Sequence, residues 1–553
     1  MVGESKNEEH VLFSNLTFSF VSKYSSIFLN VISAMVVARF LNPTSWGYIL
    51  IALAYINFTI FILKFLPPGL HNVLDYFIPK YLKLNKKTNV KFLYKYSIII
   101  KLLFSLPIFF LFISIFYIIP LSSNVSFIEK SYLFLILSPM IVLEDLKFVF
   151  HSIYRSLNKY KNIAIITMLP FLIYIAGLIV GIFIISSISL EKVTYVAYIR
   201  LISVIIPLII YFSLIIKDYH KIKIEKEEKI DLKNILLQMF KYGSFASITQ
   251  YRGPTEKETK SLIISNFVSP NIITGYSVTY QFKVTTEDLS NAFLFPMINT
   301  FSRLKAGGKE NPENFNRIKK IYNIIYKYNL IMILFIASGF YFISDFILFT
   351  LYGKPYLEYS FYLKILVLTA TFTASNNIFY GYIRGTNRVK TLSYIFPIFV
   401  FMNLFSIIFG LVAFGVVGLL IGEFISQFLI LIIQIILSNR LFKLNLNIKS
   451  LTLIYSLFFA LIFFTYILNN LIFKDFFLIL INSLNLSFFR YLNIIPVGFF
   501  FIVFGILILN IKIIKIEEVE IFEDLLLKIK DNPLLRKLMN LIKNIINKLT
   551  FIK

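Results

Sequence analysis

Cysteine is absent from the 553 residues, and histidine occurs only four times. Disulfides, thiolate metal centres and cysteine nucleophiles are thereby excluded, and the scattered histidines leave no ligand set, so no metal or other cofactor is expected. Charge is scarce too. Asp, Glu, Lys and Arg make up 15% of the chain against 58% hydrophobic residues, too little polar surface to cover the core of a soluble assembly. Acids are scarcer than bases, 29 against 55, which gives a formal net charge of +26. What fills the chain is apolar, with 62 Phe and 34 Tyr, and this composition excludes disorder. Mean hydropathy is +0.78, and apolar runs recur from Leu12 to Asn510. The chain therefore reads as an all-α polytopic membrane protein. In that setting the basic excess belongs to cytoplasmic loops facing anionic inner-leaflet lipids, not to nucleic acid. No cleavable signal peptide is expected, because the first apolar run follows Glu4, Glu8 and Glu9 and continues too far.

About fourteen segments are long enough to span a bilayer, the first near 13–38 and the last near 491–511. Their connections alternate in charge. Lys80, Lys83, Lys86, Lys87, Lys91 and Lys95 follow span 2, Arg155, Lys159 and Lys161 follow span 4, and similar basic sets follow spans 6, 8, 10 and 12. These connections hold about 27 basic residues and the others about six, which places both termini in the cytoplasm of a cell membrane protein. The opposite connections are short, with Ser269 and Pro270 among the few residues between spans 7 and 8. Beyond the last span, Ile521, Leu525, Leu526, Ile529 and their successors have helical spacing, so 516–553 reads as an amphipathic tail on the inner leaflet.

The chain also repeats itself. FHSIYRSLNKYK (150–161) aligns without gaps on FYGYIRGTNRVK (379–390), matching Phe150, Arg155 and Lys161 to Phe379, Arg384 and Lys390 at an offset of 229. FLNPTSWGY (40–48) pairs with FVSPNIITGY (267–276) at an offset of 227 or 228, and YKYSII (94–99) with YKYNLI (326–331) at 232. Six spans separate the copies, an even number, so both lie the same way across the bilayer, related by a pseudo-twofold along its normal. The expected organisation is an N-lobe of six helices (1–230), a C-lobe of six (231–445), two added helices (446–515) and the tail (516–553).

ARFLNPTSWGY after span 1, SNFVSPNIITGYSVTYQF into span 8, LYGKPYLEYS, GYIRGTNRVK and FGVVGLLIGEFISQ resemble the oligosaccharide-lipid (polysaccharide biosynthesis) flippases of the multidrug/oligosaccharidyl-lipid/polysaccharide (MOP) exporter superfamily. The resemblance covers most of residues 12–440. It implies fourteen helices in two bundles around a central cavity, and a transporter of lipid-linked oligosaccharides, not an enzyme. One departure is Asp75, where such flippases often carry a basic residue at the inner end of span 2.

A charge at the centre of a spanning helix costs about 2.5–3.5 kcal/mol on insertion scales, so those present need partners or water. Lys23 lies in span 1, Arg252, Lys257 and Lys260 in the polar stretch QYRGPTEKETK of span 7, and Lys283 in span 8. They are the candidate basic cavity for the phosphate of a lipid carrier, Arg offering a bidentate fork. Alternatively Arg252, Lys283, Glu256, Glu287 and Asp288 neutralise one another. Glu144 and Asp145 in span 4, with Glu287 and Asp288, are candidates for coupling to a proton or cation. Pairing of Glu144 and Asp145 with Lys147 or Arg155 at helical spacing is the simpler expectation for that pair.

Two rivals remain. A cation-coupled multidrug exporter of the same superfamily would favour an acidic or aromatic cavity. A membrane glycosyltransferase or polysaccharide polymerase would need outward loops large enough for a site, and these are too short. The expected partners are a lipid-linked oligosaccharide, anionic lipids and glycosyltransferases or a polymerase of the same pathway, with the chain a monomer.

Overall fold

The computed structural model describes residue 22 and residues 24–118, 127–157, 159–185, 189–222, 252–306, 312–386, 388–473 and 494–510. Lys23, residues 235–251 of the expected seventh span, the loop 474–490 and the tail 516–553 lie outside them. Among the described residues every regular element is a helix. In chain order these are α1 (Tyr24–Phe40), α2 (Pro43–Leu63), α3 (Leu70–Lys83), α4 (Lys87–Ile118), α5 (Phe127–Leu137), α6 (Met140–Ser156), α7 (Tyr160–Ile184) and α8 (Ser189–Lys221). There follow α9 (Arg252–Phe267), α10 (Pro270–Ala306), α11 (Pro312–Phe342), α12 (Ser344–Tyr352), α13 (Ser360–Gly385), α14 (Val389–Arg440), α15 (Ile448–Leu468) and α16 (Ile494–Asn510).

Seven of these, α2, α4, α7, α8, α11, α14 and α15, are long and apolar enough to cross a bilayer. α2 with 21 residues is about 31 Å long, the thickness of the hydrocarbon core. α10 and α13 are as long, with 37 and 26 residues, and more polar. α14 is two helices in one. Phe414 (φ −135°, ψ 16°) and Gly415 (φ 63°, ψ −146°) interrupt it, and the two legs match spans 11 and 12 expected at 391–413 and 416–439. The positive φ at 415 favours glycine. The chain is a multi-pass, all-α membrane protein.

The repeat seen in the sequence recurs in the backbone. At the end of α6 the N–H of Lys159 donates to the carbonyl of Tyr154 (3.1 Å), and at the end of α13 that of Arg388 donates to Ile383 (2.9 Å), 229 residues on in both donor and acceptor. The C-caps Leu157 (φ −88°, ψ 5°) and Thr386 (φ −94°, ψ 10°) agree as well. In the other copy pair, Leu41 donates to Val37 and Trp46 to Asn42, as Val268 does to Ile264 and Ile273 to Ser269, all at an offset of 227. Each of these turns starts its helix with proline, Pro43 in α2 and Pro270 in α10, where the missing N–H is no loss.

By packing, the chain divides into two compact units, Met1–Val278 with Ser393–Leu419, and Thr279–Leu392 with Leu420–Lys553. The core of the first includes a cluster from α3, α4, α6, α7 and α8, among them Leu74, Ile78, Leu93, Ile153 and Tyr211. The second is built on aromatic packing. Phe372 of α13 meets Phe424 and Phe428 of α14 and Tyr455 and Phe459 of α15, and Tyr382 meets Phe301, Tyr322 and Phe442.

Candidate functional site

Within the first unit the two repeated turns touch each other reciprocally. Thr274 Oγ1 donates to the carbonyl of Pro43 (2.7 Å), while a Cβ at Gly47 would lie 2.0 Å from the carbonyl oxygen of Pro270. Gly47 and Thr274 are equivalent at offset 227, and so are Pro43 and Pro270. Residue i meets j and j meets i, the signature of a contact on a local twofold. Only a residue without a side chain allows α2 so close to the α10 backbone. Tyr55 of α2 also donates its hydroxyl to the Asn266 side chain of α9.

The same unit holds a charged cluster contributed by α2, α4, α6 and α9. Lys101 of α4, 4% exposed, pairs with Asp145 of α6 (2.8 Å), which is fully buried, and also donates to the carbonyl of Leu63 at the end of α2 (2.7 Å). Glu144 pairs with Lys147 at 3.1 Å, as helical spacing predicts. Asp145 does not follow that expectation. Its partner comes from another helix, and Arg155 goes instead to Asp75, with Nε 3.0 Å from one carboxylate oxygen and NH2 bonded to the other. The side-chain direction decides this, since Asp145 points into the helix packing while Lys147 and Glu144 stay half-buried at the rim.

Lys64 caps the C-terminus of α2 with its backbone and places Nζ 4.1 Å from the Phe148 ring centroid, in electrostatic reach of Glu258, Lys257, Glu144 and Asp145. Asp75 lies in α3, beyond the second span. Of the candidate cavity residues, Lys260 is buried over the Tyr276 ring (5.6 Å), and Lys257 is exposed with Glu258 at 3.7 Å. Arg252 opens the described part of α9; its side chain, like Lys23, lies outside the description.

In the second unit Lys283 of α10 is buried between two carboxylates, Glu423 of α14 at 2.6 Å and Glu287 one turn along α10 at 3.3 Å. Thr373 donates to Glu287, and the Asn377 amide donates to the Glu287 carbonyl and to Ser290 Oγ, both 3.3 Å away. Asp288 is half-buried. Thr373 and Ala374 are the repeat equivalents of Glu144 and Asp145. Each unit thus holds a buried lysine paired with a fully buried acid, Lys101 with Asp145 and Lys283 with Glu423.

Lys64 and Lys101 escaped the sequence reading although their signal was present. Both are lone cations inside apolar runs, FILKFL and IIIKLL, where an unpartnered charge is unfavourable. Among the described residues no group of three or more His, Cys, Asp or Glu could hold a metal ion.

Duplicated turns, proline-started helices and buried charge pairs frame an all-α, many-helix membrane fold. No family model matches the chain, and no curated protein matches it. Solved structures do. An inward-facing multidrug resistance MATE family transporter of the MOP superfamily superposes with a TM-score of 0.60 at 13% identity, over 76% of this chain and 96% of its own. The lipid II flippase MurJ in its inward closed conformation gives 0.58 at 17% identity, over 89% of this chain and 98% of its own. The Vibrio cholerae MATE transporter VcmN gives 0.51 at 12% identity, over 78% and 97%. These identities establish the fold alone.

Proposed function

We propose that the chain is a flippase for lipid-linked oligosaccharides carried on a polyprenyl phosphate or diphosphate. It moves them from the cytoplasmic to the outer leaflet of the cell membrane by alternating access, with six-helix lobes at 1–230 and 231–445 and both termini in the cytoplasm. The observation that carries this reading is the extent of the likeness to MurJ, 89% of this chain against 76% and 78% for the two MATE transporters. The chemistry agrees. Each sugar hydroxyl left unpaired in hydrocarbon costs several kcal/mol, so the head group needs a polar path while its tail stays in lipid. Lys23, Lys64, Arg252, Lys257 and Lys260 supply cations for the phosphate, Arg252 offering a bidentate fork.

A second reading, a cation-coupled multidrug exporter, is favoured by one observation: the deep lysines are already matched by Asp145, Glu287 and Glu423. In the flippase these acids, with Glu144 and Asp288, are where a coupling proton or cation acts. The two readings separate on neutralisation of Lys64 and Arg252. As a flippase, the Lys64→Gln/Arg252→Gln protein, purified folded into proteoliposomes, loses movement of a fluorescent polyprenyl-diphosphate saccharide by at least tenfold. Unchanged saccharide movement, or export of a cationic dye that these changes improve, would sink the flippase reading. Glycosyltransferases or a polymerase of the same pathway are the partners that would supply and consume this cargo.

A further inference from the structure

Between two consecutive spans, α2 and α4, the chain lays down the 14-residue helix α3. One stripe of it, Leu70, Val73, Leu74, Phe77, Ile78 and Tyr81, is buried in the core of the first unit. Outside that stripe Tyr76 (47%), Lys80 and Leu82 are exposed, as are Leu84 (55%), which caps the helix, and Lys86 after it. A helix joining the ends of two spans lies at the level where both leave the hydrocarbon, which is the headgroup region. A face turned only to water has no use for tyrosine and leucine. Here Lys80 Nζ lies 5.7 Å from the Tyr76 ring centroid and 5.6 Å from that of Phe77, so an amine and an aromatic share one spot, the pairing that suits an interface.

The charge on this segment is of one sign. From Tyr76 to Tyr96 the sequence holds six lysines, at 80, 83, 86, 87, 91 and 95, and no acid. The acid just before it, Asp75, is held by Arg155, which also pins α3 to α6. We infer that α3 and the first turns of α4 form a docking face for anionic phospholipid, with headgroup phosphates against Lys80, Lys86 and Lys87 and with Tyr76 and Leu84 in the acyl boundary. The inference is independent of the cargo and is tested without a transport assay.

The absence of cysteine makes the test direct. A nitroxide on Leu84→Cys in the full chain, in nanodiscs of phosphatidylglycerol with phosphatidylcholine or of phosphatidylcholine alone, reports depth by its accessibility to a water-soluble nickel complex. Native mass spectrometry reports phosphatidylglycerol retained by the wild-type chain and by Lys80→Gln/Lys86→Gln/Lys87→Gln. Each lysine near an anionic surface contributes about fivefold, so the triple substitution should lower retention about a hundredfold. The nitroxide should be shielded from nickel more strongly with phosphatidylglycerol. Equal retention by the two proteins, or equal shielding in both lipids, would overturn the inference. Shielding that follows a dimer mass in phosphatidylcholine alone would assign the face to a second copy and overturn it too.

Discussion

At Gly47 a single added carbon meets backbone that cannot give way. A Cβ there would sit 2.0 Å from the Pro270 carbonyl oxygen, 2.3 Å from its carbon and 2.7 Å from its Cα. Ordinary contact needs about 3.5 Å, so α2 and α10 must part by roughly 1.5 Å, and because both sides are backbone no rotamer relieves the clash. Overpacking of this kind costs about 1–3 kcal/mol, a shift of about 5- to 150-fold away from the closed contact. Thr274 is fully buried at the same contact. Introduced as Thr274→Cys into the cysteine-free chain, a thiol at this position reports opening by its rate of reaction with a membrane-impermeant maleimide. With Gly47→Leu that rate should rise at least about fivefold, and Gly47→Ala, which carries the offending carbon alone, should move it the same way if the leucine variant fails to fold. An unchanged rate in a protein with wild-type elution and thermal transition would refute the reciprocal contact.

The buried ion pairs give further expectations. Asp145→Asn leaves Lys101 uncompensated and should cost about 3–5 kcal/mol, whereas Lys101→Met with Asp145→Leu should recover most of it; thermal unfolding in detergent distinguishes coupling from additivity. Glu423→Gln should destabilise more than Glu287→Gln, because Glu423 is fully buried 2.6 Å from Lys283 while Glu287 is a quarter exposed at 3.3 Å. Equal losses in the same assay would mean that the two acids share the lysine evenly. Gly415→Ala places a side chain at φ +63° and should cost about 1–2 kcal/mol, read as lost folded yield after heating.

Much of the architecture was legible from period and charge. The interruption between spans 11 and 12 was readable because Gly415 falls where the apolar run had to turn, and the repeat was readable because its turns need Pro43 and Pro270 to start helices. The pairing of charges was less so. Glu144 with Lys147 follows from helical spacing, but Asp145 with Lys101, Asp75 with Arg155 and Lys283 with Glu423 join residues 44, 80 and 140 positions apart. Nothing local in the sequence encodes which helices pack together, so the neutralisation of deep lysines was expected in kind and missed in detail. Gly47 was likewise visible only as a matched letter, since the closeness that requires it is tertiary.

The most direct test is reconstitution of the purified chain into proteoliposomes containing a fluorescent polyprenyl-diphosphate oligosaccharide, followed by quenching from outside. The account predicts that the outward-accessible fraction grows with time only when the protein is present. It also predicts that the Pro43→Cys/Thr274→Cys variant, once its two introduced thiols are joined by oxidation, shows no such growth until a reductant is added. Quenching kinetics identical to those of protein-free vesicles, from a preparation that remains folded and transports a cationic dye instead, would contradict it.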